Sequence, residues 1–169
     1  MKLLGLPIAE KIKEELMRLP KPSVKLAIVQ VGDDPVSSLY VKKKQEFAKE
    51  ISVNTIVVKT TSGQIDQKID ELNRDHSVKA IIIQLPLPEG LSRNKLLAKI
   101  SMHKDVDGFR YILGEQFITY PPTVLAIDDI FEFYKIQILL HFESIGESPK
   151  VQLNLLLLFV YNNDLFDHA

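Results

Sequence analysis

Ile8, Ile12 and Leu16 recur at helical spacing among lysines and glutamates, with Pro7 placed for a first turn, so the chain is expected to open with an amphipathic helix. Val24–Val31, VKLAIVQV, is a nearly continuous apolar run, as expected of a strand covered on both faces. Gly32-Asp33-Asp34-Pro35 interrupts it. Asp34 suits an N-cap and Pro35 the first position of a helix reaching about Glu50. Val53–Val58, VNTIVV, is rich in β-branched residues and predicts a second strand. Ser62 is expected to open another helix, with Ile65, Ile69 and Leu72 on its inner face. Val78–Leu85, VKAIIIQL, predicts a third buried strand. Ser92 then caps a short helix carrying Leu96, Leu97 and Ile100.

Helices that alternate with buried strands imply an α/β fold: a three-layer parallel sheet with helices on both faces, over residues 1–100. In such sheets ligands sit outside the carboxyl ends of the strands. The segments expected there are Gly32–Tyr40, Gln84–Pro88, and His103–Phe109 if the chain returns to the same edge. Beyond Tyr120 the pattern is less regular. Val124–Tyr134 predicts a helix, Ile136–Phe142 a strand, and Ser144–Val151 a turn before the apolar Leu153–Tyr161.

Composition narrows the function classes. The chain has 169 residues, 46% apolar and 25% charged, enough for a domain with a real core. A net charge of −1 gives no basic surplus for nucleic acid and no polybasic run for a membrane surface. The absence of cysteine excludes disulfides, thiolate metal sites and a cysteine nucleophile. The N-terminal stretch turns charged early, so no secretory leader is expected. Leu155–Tyr161, the longest unbroken apolar run, is too short to span a bilayer. A cytoplasmic location is the expectation.

Three stretches carry candidate chemistry. In VGDDPVSSLYVKKKQEF, Tyr40 and Lys44 are four apart and share a helix face. Near a helix's positive end, a lysine's neutral form is favoured, and such a lysine can donate and accept a proton near neutral pH. Two readings stay open here: a proton-transfer lysine, or Lys42, Lys43 and Lys44 as a solvated basic face with Tyr40 packing beside it. In IIIQLPLP, Gln84 ends a run of isoleucines and needs partners if buried, or else faces water from a loop fixed by Pro86 and Pro88. In HKDVDGF, Asp105 and Asp107 could accept hydrogen bonds from a ligand, hold a cation, or form an Asx-type turn. They are too few for a calcium loop. His76, His103, His141 and His168 have no metal-ligand spacing and are expected at the surface, so no metal is implied.

Taken together and in this order, VGDDPVSSLYVKKK, IIIQLPLP and KDVDGF closely resemble the signature stretches of the bifunctional methylenetetrahydrofolate dehydrogenase/methenyltetrahydrofolate cyclohydrolase family. The resemblance is continuous from about Gly5 to Leu113 and recognisable to about Asn163. It implies a folate-binding catalytic domain over residues 1–120, in which Lys44 is the catalytic proton-transfer group. It implies that Tyr40 stacks on the folate, that Gln84 bonds near Lys44 and tunes it, with Leu85 beside it at the substrate, and that Asp107 receives the pterin's N–H donors. The implied substrates are tetrahydrofolate derivatives, the implied cofactor is NADP, and the implied assembly is a homodimer. The implied chemistry is oxidation of 5,10-methylenetetrahydrofolate to the methenyl cation, then its hydrolysis to 10-formyltetrahydrofolate.

The sequence departs from the family after residue 120. Residues 121–169 stand where the family has a Rossmann-type NADP domain, and read as an incomplete Rossmann-type segment. The family's phosphate turn resembles G-R-S-x-x-V-G-x-P, whereas this chain has G-E-S-P-K-V-Q-L-N from Gly146. Gly146 and Ser148 remain as cofactor-binding candidates. Glu147 replaces the arginine and would repel a phosphate; Gln152 replaces the second glycine and would block backbone approach. A βαβ unit takes roughly 30 residues or more, and 23 follow Gly146. The expectation is therefore a folate half-site without the dehydrogenase step, or a non-catalytic folate-binding remnant. The family's P-C-T-P-x-G segment also reads P-P-T-V-L-A here, Pro121–Ala126.

Overall fold

A computed structural model describes residues 4–135. Elements alternate along the chain: α1 (Leu6–Arg18), β1 (Lys25–Val31), α2 (Pro35–Glu50), β2 (Asn54–Thr60), α3 (Ile65–Arg74), β3 (Val78–Ile83) and α4 (Arg93–Ala98). A 3-10 turn over Met102–Lys104, the short α5 (Phe109–Ile112) and α6 (Pro122–Phe133) follow. The chain divides into two compact units, Ala9–Pro121 and a second made of the residues up to Ile8 with those from Pro122.

The three strands are parallel in the order β2-β1-β3. Val29 lies opposite Val58 on one side and Ile83 on the other. The chain steps from β1 to β2 in one direction and from β2 to β3 in the other. Crossovers of one hand then place α2 and α3 on opposite faces, and the burial pattern agrees. Ala27, Val29 and Val31 join Ile65, Ile69 and Leu72 of α3 and Leu96 and Leu97 of α4 in one core cluster. The alternate residues Ile28 and Gln30 are buried against the other layer, where Gln30 Nε2 donates to Ser38 Oγ of α2 at 2.8 Å. Both faces of the sheet are thus covered, which is why its strands read as unbroken apolar runs.

β1 starts one residue later than expected, at Lys25, β2 one later, at Asn54, and α6 ends one earlier, at Phe133; four other boundaries also shift. β2 extends to Thr60, because its ladder with β1 continues to the Val31–Thr60 pair. β3 stops at Ile83, leaving Gln84 and Leu85 just past the strand end. α3 begins at Ile65 rather than at Ser62: a turn intervenes, with the Gln64 and Ile65 amides both donating to Thr61 O at 3.1 Å. α6 begins at Pro122, not Val124. Within the second unit, Tyr134 hydroxyl both accepts from Leu4 N and donates to Leu4 O, each at 3.0 Å. Ile136–Phe142, Ser144–Val151 and Leu153–Tyr161 lie outside the described residues, as do His141, His168, Gly146, Glu147, Ser148 and Gln152. Among the described residues no helix is long and apolar enough to cross a membrane.

Candidate functional site

The first wall of the site is α2. Asp34 is its N-cap, its carboxylate accepting from Ser37 N at 2.6 Å, and Pro35 follows at the first position. These contacts fix the helix phase. Ser37, Val41 and Ala48 are the buried residues of α2. Lys44 falls in the same stripe, seven after Ser37 and four before Ala48, where an apolar residue would ordinarily sit. It is half-buried, whereas Lys42 and Lys43 are exposed and Lys42 pairs with Glu46 across one helical turn. The basic run is therefore divided, with two lysines in solvent and one turned to the sheet.

What Lys44 meets there is Gln84. Its Nζ donates to Gln84 Oε1 at 2.7 Å. Gln84 is buried, so this carbonyl does not face water. Its backbone amide continues the ladder by donating to Val29 O at 2.8 Å, and its Nε2 donates to Leu85 O at 2.6 Å. With both ends of the amide engaged, the side chain has one orientation and presents an acceptor to the ammonium. Leu85 is half-buried at the head of the loop, and the Leu85–Pro86 peptide is cis. Tyr40, one turn before Lys44, is 52% exposed. Lys44 itself lies in the third turn of α2, while a helix end acts within about the first turn. The expected influence of the helix's positive end on this lysine is corrected accordingly: its surroundings are set by Gln84 and by the loop described next.

The second wall is the loop from His103 to Phe109, which returns to the strand ends. Asp105 forms an isolated parallel bridge to Ile81, on the outer side of β3. Its carboxylate accepts from Phe109 N at 3.3 Å and Arg110 N at 3.0 Å, capping α5. Asp105 is thus a turn-forming residue. Asp107 is different: it takes part in no hydrogen bond or ion pair among the described residues. Burial raises its carboxyl pKa from 3.8 to about 6, the Lys44 ammonium opposes the rise, and Asp105 adds to it. The loop therefore holds a carboxyl with unused acceptors in the same electrostatic neighbourhood as Lys44.

Gly108 explains how that loop is seated. Its φ is +65°, and a Cβ added there would lie 2.5 Å from both Pro121 N and Tyr120 C. Only glycine lets the backbone of Thr119–Pro121 pass so close.

Two groups that support the site were not singled out from the sequence. Gln30 is buried in β1, one residue past Val29, which pairs with Ile83; it therefore neighbours Gln84 on the α2 face. Lys104 is buried, and all its Nζ contacts are to main-chain carbonyls of α3 and the residue after it. A polar residue inside an apolar strand was the available signal for Gln30. Lys104 had none, since a lysine beside a histidine reads as surface. His76 and His103 are exposed as expected. Among the described residues no group of three or more His, Cys, Asp or Glu could hold a metal ion.

A lysine, a glutamine and an unpaired carboxyl thus lie at the carboxyl edge of a parallel α/β sheet, the edge at which sheets of this class bind ligands. The sequence model of the tetrahydrofolate dehydrogenase/cyclohydrolase catalytic domain matches residues 3–107, and the chain belongs to that family. The bifunctional protein FolD of Rickettsia bellii is 44% identical over 115 residues, covering 64% of this chain and 41% of that protein. Its counterpart in Rickettsia akari is 42% identical over 115 residues, covering 64% and 39%. The chain thus spans about two fifths of the length of these curated relatives. Among solved structures, the bifunctional FolD dehydrogenase/cyclohydrolase from Campylobacter jejuni aligns with a TM-score of 0.70 and 32% identity, over 79% of this chain and 53% of that one. The bifunctional enzyme from Thermoplasma acidophilum gives a TM-score of 0.70 and 26% identity, over 95% and 62%.

Proposed function

We propose that this chain binds tetrahydrofolate derivatives at the carboxyl edge of its sheet and hydrolyses 5,10-methenyltetrahydrofolate to 10-formyltetrahydrofolate. The 2.7 Å contact between Lys44 Nζ and Gln84 Oε1 carries the reading. It joins two motifs 40 residues apart, and family resemblance attaches proton transfer to that lysine. In this reading water adds to the electrophilic bridge carbon, and Lys44 moves the proton that ring opening requires. Gln84 holds the ammonium in place. Tyr40 offers an exposed ring face on which the folate stacks, and Leu85 lines the same edge. Asp107, an acceptor when ionised, meets the pterin's N–H donors.

The family's dehydrogenase step needs NADP. Gly146 and Ser148 are the residues offered for it, and Glu147 between them opposes a phosphate. We therefore assign hydrolysis and not hydride transfer to this chain. A homodimer and a cytoplasmic location complete the proposal; family resemblance supports the first and the cysteine-free composition suits a reducing compartment. The second reading, a folate-binding remnant without turnover, rests on the same residues and predicts binding alone.

The test is the decay of 5,10-methenyltetrahydrofolate absorbance with purified chain beside Lys44→Ala. A rate above buffer that falls at least about 100-fold in the variant supports catalysis. Equal rates for the two proteins sink it. A folate-induced rise in melting temperature without turnover moves the assignment to the remnant.

A further inference from the structure

We propose that Lys104 is the positioning residue for Asp107, fixing the acidic loop against the end of α3 so that the Asp107 carboxyl is held in place with its acceptors unused. Lys104 is the only buried lysine among the described residues. Its Nζ donates to Leu72 O at 2.7 Å, to Asn73 O at 2.8 Å and to Asp75 O at 2.8 Å. An ammonium has three protons, and all three are used. The acceptors belong to the last turn of α3 and the residue that follows it, where carbonyls lack intrahelical partners and the helix end favours a cation. A flexible side chain is thereby tied to one point of the core.

Asp107 lies three residues further along. The chain between has few freedoms left. The Asp105 backbone is bridged to Ile81 and its carboxylate caps α5. Gly108 is held beneath Thr119–Pro121. Lys104 is the anchor on the upstream side of this span and Gly108 the anchor on the downstream side. A cap whose only role was to finish α3 could sit in any loop. Here it begins the segment that presents the unpaired carboxyl. The placement of Asp107 stands on this geometry alone; its consequence for ligand binding rests on the folate reading above.

The experiment is an NMR titration of the Asp107 carboxyl in the full unliganded chain, in wild type, Lys104→Met and Lys104→Arg, each checked for folding by circular dichroism. The wild-type midpoint should lie near 6. In Lys104→Met it should fall by at least about one pH unit toward the ordinary carboxylate range, because the released loop hydrates the group. Lys104→Arg, which keeps charge and donors, should restore most of the wild-type value. An unchanged midpoint in folded Lys104→Met overturns the proposal. Should that variant not fold, Lys104→Gln, with two donors and no charge, replaces it under the same criterion. Binding of 5-formyltetrahydrofolate adds a second readout: Lys104→Met should weaken it roughly tenfold, and should weaken it no further once Asp107→Asn is present. Additive losses count against positioning. Wild-type protein that fails to bind the folate sinks the functional reading and leaves the titration to decide the placement.

Discussion

Replacing Asp107 with asparagine should stabilise the unliganded chain at neutral pH. The carboxyl ordinarily titrates at 3.8 and here at about 6, chiefly because burial disfavours its charge. The folded state therefore binds more protons than the unfolded state between those values. Stability falls as pH rises through that window, since its slope follows the excess of protons bound by the unfolded chain. Below 3.8 both states are protonated and the residue contributes nothing. Above 6 the whole penalty is present. The gap is roughly two pH units at about 1.4 kcal/mol each, or about 3 kcal/mol. Asparagine has nearly the same shape and no charge to desolvate. Urea unfolding of wild type and Asp107→Asn at pH 3.5 and pH 7.5 measures the effect. The variant should gain up to about 3 kcal/mol at the higher pH and much less at the lower. Taking the difference between the two proteins cancels Asp34, Glu71 and Asp75, whose pKa values are lowered and which act in the opposite sense. A gain of equal size at both pH values, or a loss confined to pH 7.5, would refute the argument.

Two substitutions test the scaffold. Gly108→Ala would place a methyl 2.5 Å from main-chain atoms of residues 120 and 121 at a φ of +65°, and should destabilise by more than about 2 kcal/mol in thermal or urea unfolding. A wild-type melting curve for it would show that the Thr119–Pro121 segment does not sit on this loop. Ile69→Ala removes a fully buried side chain of α3 from the main core cluster, and should lower stability by about 2–5 kcal/mol in the same assays. A smaller loss would mean that α3 packs loosely on the sheet.

The scaffold was legible because its strands are covered on both faces and its helices on one, so that period and composition separate them. The Asp34-Pro35 pair marked the start of α2 to the residue. Ser62 misled for a local reason: a capping residue type stood in a turn whose amides bond to Thr61, and the cap position went to Gln64, which makes no side-chain cap bond. Residue pattern alone offered Lys44 only as a candidate; its partner Gln84, 40 residues away, came from the family resemblance, and the β2-β1-β3 order is what brings the two together. Residue type and spacing did not separate Asp105 from Asp107, and only the family resemblance singled out Asp107. Tertiary placement divides them, one carboxylate being consumed by two backbone amides and the other left open. Lys104 could not be read at all, because its three acceptors are main-chain atoms with no sequence signature.

The middle strand of this sheet is the first in sequence. β1 finds one neighbour after α2 and the other only after the chain has passed back across it through α3. The segment β1, α2 and β2 carries the lysine but not its glutamine. The chemical pair therefore exists only once β3 is docked on β1, a contact of long sequence separation of the kind that loop closure makes slow. A small molecule that recognises both groups discriminates in favour of chains that have finished folding, and draws late intermediates forward by mass action. A ligand held by both groups would in that sense act as the domain's folding companion.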